Sequence, residues 1–247
     1  MGRLENKTVI VTGASRGIGR ALALDLAGRG AHLVLNARDE ESLAEAVRAC
    51  EAKGVRAQAV AGDASLAEVA GRLVRAARDM GGPDGFVHAA GVLHPGPTLW
   101  ELTEVQFDAV FDANVRAAWQ LVRFVCPALC GREGGFAVFF GSGAADMVQP
   151  GIAAYCAAKA AEEHLARQVA AEASGLAVIV YRPGVVETRM QEQARQAEGG
   201  AAEGLRHVFW DIKERGELIT PEESAAFLTR VLDADPYRYH GQTLRAG

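Results

Sequence analysis

The first apolar run of the chain, Thr8–Thr12, ends in Thr12-Gly13-Ala14-Ser15-Arg16-Gly17-Ile18-Gly19. This short stretch constrains the fold more than any other. Glycines at these three places let the backbone turn tightly and approach a pyrophosphate. A helix opening at Gly17 would aim free N–H groups and the positive end of its dipole at the same point. The spacing is TGxxxGxG, which differs from GxGxxG, but roughly 0.01 chance matches are expected in a chain of this composition. An ordinary glycine-rich strand-to-helix turn is the alternative, and the position at the first such junction argues against it. Gly13, Ser15, Arg16, Gly17, Ile18 and Gly19 are therefore candidate dinucleotide-binding residues.

Downstream, short β-branched runs alternate with longer stretches of helical spacing. Strands are expected at Thr8–Thr12, His32–Ala37, Val55–Ala61, Gly85–Ala90, Phe136–Phe140, Ala177–Tyr181 and Gln242–Leu244. Helices are expected at Gly17–Gly30, Glu40–Lys53, Leu66–Met80 (capped by Ser65), Thr103–Cys130 (capped by Thr103, bent at Pro127), Ile152–Ser174 and Glu222–Asp233. This alternation predicts an α/β fold, a doubly wound parallel Rossmann-like sheet of about seven strands with helices on both faces. No linker divides residues 1–247, so one domain is expected. The polar segment Arg189–Thr220 follows strand six, where ligands of such sheets sit. It is either a substrate lid or a surface insertion.

Composition excludes several classes of function. Apolar residues make up 49% and charged residues 23%, as in ordinary globular chains and unlike disordered ones. The net charge is −5 without a basic block, which argues against nucleic acid or an anionic membrane as the main partner. The N-terminus lacks an apolar targeting region, and no run is long enough to span a membrane, so the cytoplasm is the expected compartment. Cys50, Cys126, Cys130 and Cys156 form no CxxC pair, and no metal site is expected. Cys126 and Cys130, one helical turn apart, read as small buried residues.

Tyr155 and Lys159 are four residues apart on a predicted helix and share a face. A free phenol titrates near 10, and a neighbouring ammonium stabilises its phenolate, bringing it into acid–base range. A surface Tyr–Lys pair is the competing reading of the pair alone. Ser142, thirteen residues earlier, follows strand five, at the strand end that opens on the same crevice. Alone, in Gly141-Ser142-Gly143, it reads first as a turn residue.

Taken together, TGxxxGxG, Asn114, Ser142, Tyr155-x-x-x-Lys159 and Pro183-Gly184-Val185-Val186-Glu187-Thr188 resemble the short-chain dehydrogenase/reductase family over Asn6–Leu244. The resemblance implies an oxidoreductase in which Tyr155 donates a proton to a carbonyl and Ser142 polarises the carbonyl oxygen. Lys159 would lower the tyrosine pKa and hold the nicotinamide ribose, and Asn114 would place a relay water behind Lys159. It further implies cofactor contacts from Asp63, Ala64, Ala90, Gly91, Tyr155, Lys159, Pro183, Gly184, Val186 and Thr188. One departure is His88-Ala89-Ala90-Gly91 where the family commonly carries NNAG. His88 reads as a packing residue, and the lost amides concern the tie between neighbouring strands. Met190-Gln191, Phe209, Gly216-Glu217-Leu218 and Pro221-Glu222 resemble the branch holding sepiapterin and benzil reductases. The 3-oxoacyl carrier-protein reductases compete, sharing PGxxET and Gly141-Ser142. They would need a basic patch, for which Arg116, Arg123, Arg189 and Arg206 are the candidates. A non-catalytic NADP-binding sensor would need only the glycine turn.

NADP(H) is the expected cofactor. Strand two ends Leu35-Asn36-Ala37-Arg38, without the carboxylate that would accept bonds from a 2′-hydroxyl and repel a 2′-phosphate. Arg38 and Arg16 are suited to that phosphate through paired, charge-assisted bonds. Asp39 has near-NAD spacing but reads as the start of the next helix. The expected partners are a small carbonyl substrate and further copies of the chain. The resemblance implies that the helices Thr103–Cys130 and Ile152–Ser174 pack against their copies in a homodimer or homotetramer, and Trp119, Val122, Leu165 and Val169, which exceed one sheet-facing stripe, are consistent with it. Met190, Leu205, Val208, Phe209 and Trp210 would give a lid apolar and aromatic walls.

Overall fold

In a computed structural model of the chain, residues 2–130 and 134–246 are described here. They form a seven-stranded parallel sheet in the order β3-β2-β1-β4-β5-β6-β7. The strands are β1 (Thr8–Thr12), β2 (His32–Ala37), β3 (Ala57–Ala61), β4 (Gly85–His88), β5 (Gly135–Phe140), β6 (Leu176–Arg182) and β7 (Thr243–Arg245). The intervening helices are α1 (Gly17–Gly28), α2 (Glu40–Glu51), α3 (Ala67–Asp79), α4 (Glu104–Phe111), α5 (Ala117–Leu129), α6 (Ala153–Glu172), α7 (Arg189–Arg195), α8 (Ala202–Glu214) and α9 (Pro221–Ala234). The order reverses beside β1, between β1 and β4, so the loops after those strands open a crevice at the carboxyl edge.

The unbroken apolar runs have a simple cause: both faces of the sheet are covered. Val9 and Val11 on β1, Leu33 and Leu35 on β2, and Ile179 and Tyr181 on β6 face one core. That core is completed by Leu22 and Leu26 of α1, Leu43 of α2, and Leu228 and Leu232 of α9. Ile10, Val34, Val178 and Val180, their neighbours in the strands, face the other. There they meet Leu73 of α3, Leu121 and Val125 of α5, and Ala166 and Val169 of α6. A one-residue slip of any central strand would exchange its two faces and break both cores. The edge strands β3 and β7 are shorter of apolar cover and partly exposed.

Several local expectations are corrected. The long helix starts as expected: Thr103 Oγ1 accepts from Gln106 N, and the Gln106 side chain accepts from Thr103 N. Its irregularity lies in a π segment, Asp112–Arg116, whereas Pro127 is accommodated inside α5. Ser65 does not cap α3. Leu66 is the N-cap, without a side-chain bond, and Ser65 N donates to Asp63 Oδ1 at 2.9 Å. Cys126 is buried but Cys130 is exposed, because the backbone turns extended at Cys130 and leaves the helix face. The polar segment 189–220 holds two helices, α7 and α8, separated by a glycine turn. No helix among the described residues is long and apolar enough to cross a membrane.

Candidate active site

The turn after β1 closes as the glycines require. Gly13 has φ +68°, and a Cβ there would lie 2.8 Å from the Ala90 backbone. A Cβ on Gly19 would lie 2.3 Å from Gly13 O, so α1 is pressed against the end of β1. Arg16 occupies the N-cap of α1 without a side-chain capping bond, and the first turn carries no acid. Its N–H groups are thus left for an external acceptor, which fits a diphosphate. Thr188, the N-cap of α7, approaches the same turn: its Cγ2 would be 3.6 Å from a Cβ on Gly17. Ala90 N donates to Thr12 Oγ1 at 3.4 Å, holding the loop after β4 alongside.

At the end of β2 the side chains separate by role. Asn36 is buried, and its Nδ2 donates to Val60 O at 2.8 Å and Gly62 O at 3.1 Å, tying β2 to β3. Asp39 caps α2, accepting from Ser42 N at 2.9 Å. Bonds from the Ser42 side chain and backbone hold the Asp39 carboxyl below the usual carboxylate range. Its assignment to the helix start is therefore met. Arg16 and Arg38 are both exposed, and Arg16 lies close enough to act on Asp39 electrostatically. Asp63 sits after β3 with its carboxyl engaged by Ser65 N, and Ala64 is buried beside it. Pro183 O accepts from Ser224 Oγ at 3.1 Å, fixing the start of the Pro183–Thr188 stretch, and Val186 is buried and bridged to Ile219.

Tyr155 and Lys159 lie one turn apart on α6, both buried. Lys159 Nζ is 5.6 Å from the Tyr155 ring centroid. It donates to Phe140 O, the last carbonyl of β5, at 2.7 Å, and to Glu162 Oε2 at 2.7 Å. Burial is the largest influence and disfavours the ammonium, but the charge and hydrogen bond of Glu162, with Tyr155 and Glu163, together outweigh it, and the net shift of Lys159 is upward. Ser142 follows β5 two residues after Phe140 and caps a short 3₁₀ turn, Gly143–Ala145, accepting from Ala144 N at 3.1 Å. Its backbone N–H donates to Glu163 Oε1 at 3.2 Å. That carboxylate is gripped by both ends of the Arg182 guanidinium, at 2.7 and 2.8 Å. Asn114 lies in the π segment, fully buried, with Nδ2 donating to Val92 O and Val110 O. Its Oδ1 would be 2.8 Å from a Cβ on Gly91, and that same Cβ would be 3.9 Å from Lys159 Nζ. Asn114, Gly91 and Lys159 therefore converge.

Two acids that the sequence did not single out belong to this site, Glu162 and Glu163. Neighbouring glutamates on a helix carry no signal of their own. A signal did exist in the phase of α6: both fall on the turn after Lys159, whose face is buried.

The segment 189–220 packs against the apolar cluster that holds Tyr155. Ala194, Ala197, Ala202 and Leu205 are buried in one apolar cluster with Tyr155, Leu93 and Ile152, with Met190 and Phe209 packed against it. Val208 and Trp210, expected as walls, instead face outward. Trp210 is flanked by Arg195 and Lys213 over its ring. The segment is clasped by Ala201 N to Gly96 O at 3.0 Å and by Gly200 N to Glu101 Oε2 at 2.9 Å.

The family model for short chain dehydrogenases matches residues 7–199. The chain belongs to the short-chain dehydrogenase family. It is an oxidoreductase by that membership. The chain is similar to an NADPH-dependent pterin aldehyde reductase of Arabidopsis thaliana, 35% identical over 188 residues, covering 74% of this chain and 76% of that protein. It is also similar to a 2,3-dihydro-2,3-dihydroxybenzoate dehydrogenase of Bacillus subtilis (strain 168), 32% identical, covering 82% and 78%. Among solved structures, a short chain dehydrogenase from Burkholderia cenocepacia J2315 in complex with NADP superposes with a TM-score of 0.85. It has 29% identity, and the match covers 98% of this chain and 97% of that one. Structures of the family holding NAD also match, one from Mycobacterium paratuberculosis with a TM-score of 0.84 at 25% identity.

Proposed function

We propose that this short-chain dehydrogenase uses NADPH to reduce a small ketone or dicarbonyl to the alcohol. Asn114, Ser142, Tyr155 and Lys159 are its working residues. The observation that carries the reading is the joint burial of Tyr155 and Lys159 on one face of α6, with Lys159 bonded to the strand end that leads into Ser142. A sensor of cofactor alone would have no use for that arrangement.

The Ser142 hydroxyl oxygen accepts from Ala144 N, which leaves its own hydrogen to donate to a substrate carbonyl oxygen. Tyr155 donates a second bond to that oxygen and then transfers its proton. The Lys159 ammonium beside the ring stabilises the phenolate left behind. In the reverse direction the same phenolate takes the alcohol proton. When bound, the cofactor supplies the hydride that adds to the carbonyl carbon. The residues present fit it: the uncapped start of α1 suits the diphosphate, and the glycine turn, Asp63, Ala64, Ala90, Gly91 and the Pro183–Thr188 stretch line its path.

Selection of NADPH rests on Arg16 and Arg38 being exposed at the mouth while Asp39 is committed to α2. The similarity to a reductase named for NADPH supports the same choice. Segment 189–220 acts as the lid, with Met190, Leu205 and Phe209 as its inner wall. Arg116 is paired with Asp112 at 2.7 Å and Arg123 lies over Trp119 and Phe124, which weakens the case for a carrier-protein dock. The test is steady-state kinetics with both cofactors on aromatic ketones, vicinal dicarbonyls and 3-oxoacyl thioesters. Arg38→Asp should lower kcat/KM for NADPH at least about tenfold, the worth of one charged bond to phosphate, and affect NADH little. An unmodified enzyme that prefers NADH would overturn the cofactor assignment. Activity confined to 3-oxoacyl thioesters would overturn the substrate class.

A further inference from the structure

Behind Lys159 the site ends in a buried charge. Glu162, on α6, is fully buried, and its Oε2 accepts from Lys159 Nζ at 2.7 Å. The other carboxyl oxygen, Oε1, has no hydrogen-bond partner among the described residues and lies 3.9 Å from His88 Nε2, whose ring is also influenced by the Ala113 and Asn114 backbone. His88 is fixed from the other side, with Nδ1 2.9 Å from Thr12 Oγ1. A carboxyl in such a place is costly unless it compensates a charge. The sheet and helix packing alone would be served as well by an apolar side chain. Glu163, next in sequence, is bonded to Arg182 and Ser142 N and acts on Lys159 only through its charge.

We propose that Glu162 is a positioning residue that sets the pH range over which Tyr155 exchanges its proton. The inference rests on the reading of Tyr155 and Lys159 given above. Lys159 assists the phenol through the positive field it presents to it. A carboxylate bonded to the far side of the same ammonium cancels part of that field and holds the ammonium toward the sheet. Among the described residues, the charged or titratable groups that act on Glu162 are Lys159 and Glu163 on α6, with His88 on β4 beside it. Arg182 on β6 and Asp146 beyond it are engaged with Glu163 and with each other. Burial, opposed by Lys159, pushes the Glu162 carboxyl up to about 7. Burial, then the Lys159 charge, pushes His88 down to about 3, so the imidazole is neutral. Below neutrality Glu162 is an acid, and the full charge of Lys159 acts on Tyr155. At the alkaline pH where a phenol ionises, Glu162 is an anion and opposes the phenolate.

The test uses Glu162→Gln in the full chain, which keeps an oxygen to accept from Lys159 and removes the charge. Glu162→Met, which removes both, is the second variant, and circular dichroism with thermal unfolding establishes that each is folded. Tyr155 ionisation is read without turnover, from ultraviolet phenolate absorbance, as the part of the titration missing in Tyr155→Phe. The midpoint should fall by about one pH unit in Glu162→Gln, where Lys159 keeps an acceptor, the usual effect of one neighbouring charge; in Glu162→Met, where burial of the ammonium is no longer opposed by that bond, the fall should be smaller or absent. The acidic limb of kcat/KM for alcohol oxidation, where the phenolate is the base, should move with the midpoint. A midpoint that stays in place or rises in folded Glu162→Gln, or that falls equally in Glu162→Met, overturns the role of Glu162. Near-normal turnover by Tyr155→Phe is a different result, which refutes the underlying assignment of Tyr155.

Discussion

His88 gives the chain a measurable weakness in acid. It is fully buried on β4, with its ring bonded to Thr12 on the neighbouring strand. Burial and the Lys159 charge lower its pKa from 6.5 to about 3. The unfolded chain therefore binds a proton at His88 from 6.5 downward, while the folded chain refuses it until about 3. Stability that is complete above 6.5 is lost as pH falls through that window, by up to about 1.4 kcal/mol per pH unit. At pH 5 the loss is about 2 kcal/mol, a large share of a total of about 5–15 kcal/mol. Glu162 acts in the opposite sense. Its carboxyl is raised from 4.5 to about 7, so it stabilises the folded state as pH falls through those values. A single pH series would mix the two. His88→Asn separates them, because asparagine does not titrate, can still meet Thr12 Oγ1, and replaces a neutral ring, leaving the charges around Glu162 unaltered. Urea unfolding of both proteins at pH 7.5 and pH 5, at one ionic strength, reads the difference. The unmodified protein should lose about 2 kcal/mol more than the variant between the two pH values. Stability curves that run parallel would refute the account of His88 as a neutral, buried tie.

Four further outcomes are expected. Tyr155→Phe keeps the ring packing and removes the proton, so carbonyl reduction should fall at least about 10²-fold with cofactor binding retained. Lys159→Met should damage both rate and cofactor affinity, and steady-state kinetics with cofactor titration distinguishes the two. Gly19→Ala places a Cβ against Gly13 O; cofactor affinity should drop more than tenfold, or thermal stability should fall by several degrees, and a variant unchanged in both would show the turn to be slack. Of the four residues expected on a second buried face, Val169 is buried in the chain's own core and Val122 and Leu165 pack against it, because that face of α5 and α6 covers the sheet. Trp119, with Val105 and Phe107 of α4, stays exposed and is expected to be covered by a second copy of the chain, so light scattering at micromolar concentration should give a dimer or tetramer mass.

The sheet was legible because its signal is repeated. Each central strand is buried on both faces, and each is therefore written as an unbroken apolar run such as Thr8–Thr12 or Phe136–Phe140. Errors collected where a local rule had a competitor. Val55 and Arg56 read as part of β3 from their β-branched company, yet the strand begins at Ala57, where pairing with Leu33 begins. Ser65 carries the chemistry of a cap, but Asp63 takes its backbone N–H and the helix starts after Leu66. The π segment at Asp112–Arg116 has no sequence signal that periodicity could find, since one extra residue in a helical turn disturbs the phase only locally. Segment 189–220 looked polar because α7 and α8 each bury only a narrow stripe, chiefly Ala194, Ala202 and Leu205.

The site divides in the same way. Glycines announce themselves because few residues can replace them at a positive φ or a 2.3 Å approach, and Tyr155 with Lys159 announces itself because two uncommon side chains share a face. Glu162 and Glu163 do not. In sequence they are two equal acids in a row, and a charge pair on a helix usually means a solvated surface. On α6 they are separated by the rotation of one residue, about 100°, and that angle sends them to opposite tasks. Glu163 turns toward β6, where Arg182 makes two bonds to it and Ser142 N a third. Glu162 turns toward β4 and finds Lys159 and an unprotonated imidazole. An exchange of either for glutamine is the same change on paper. At Glu163 it unfastens the anchor beneath Ser142, whereas at Glu162 it keeps a bond to Lys159 and removes the charge that offsets Lys159 in the field around Tyr155.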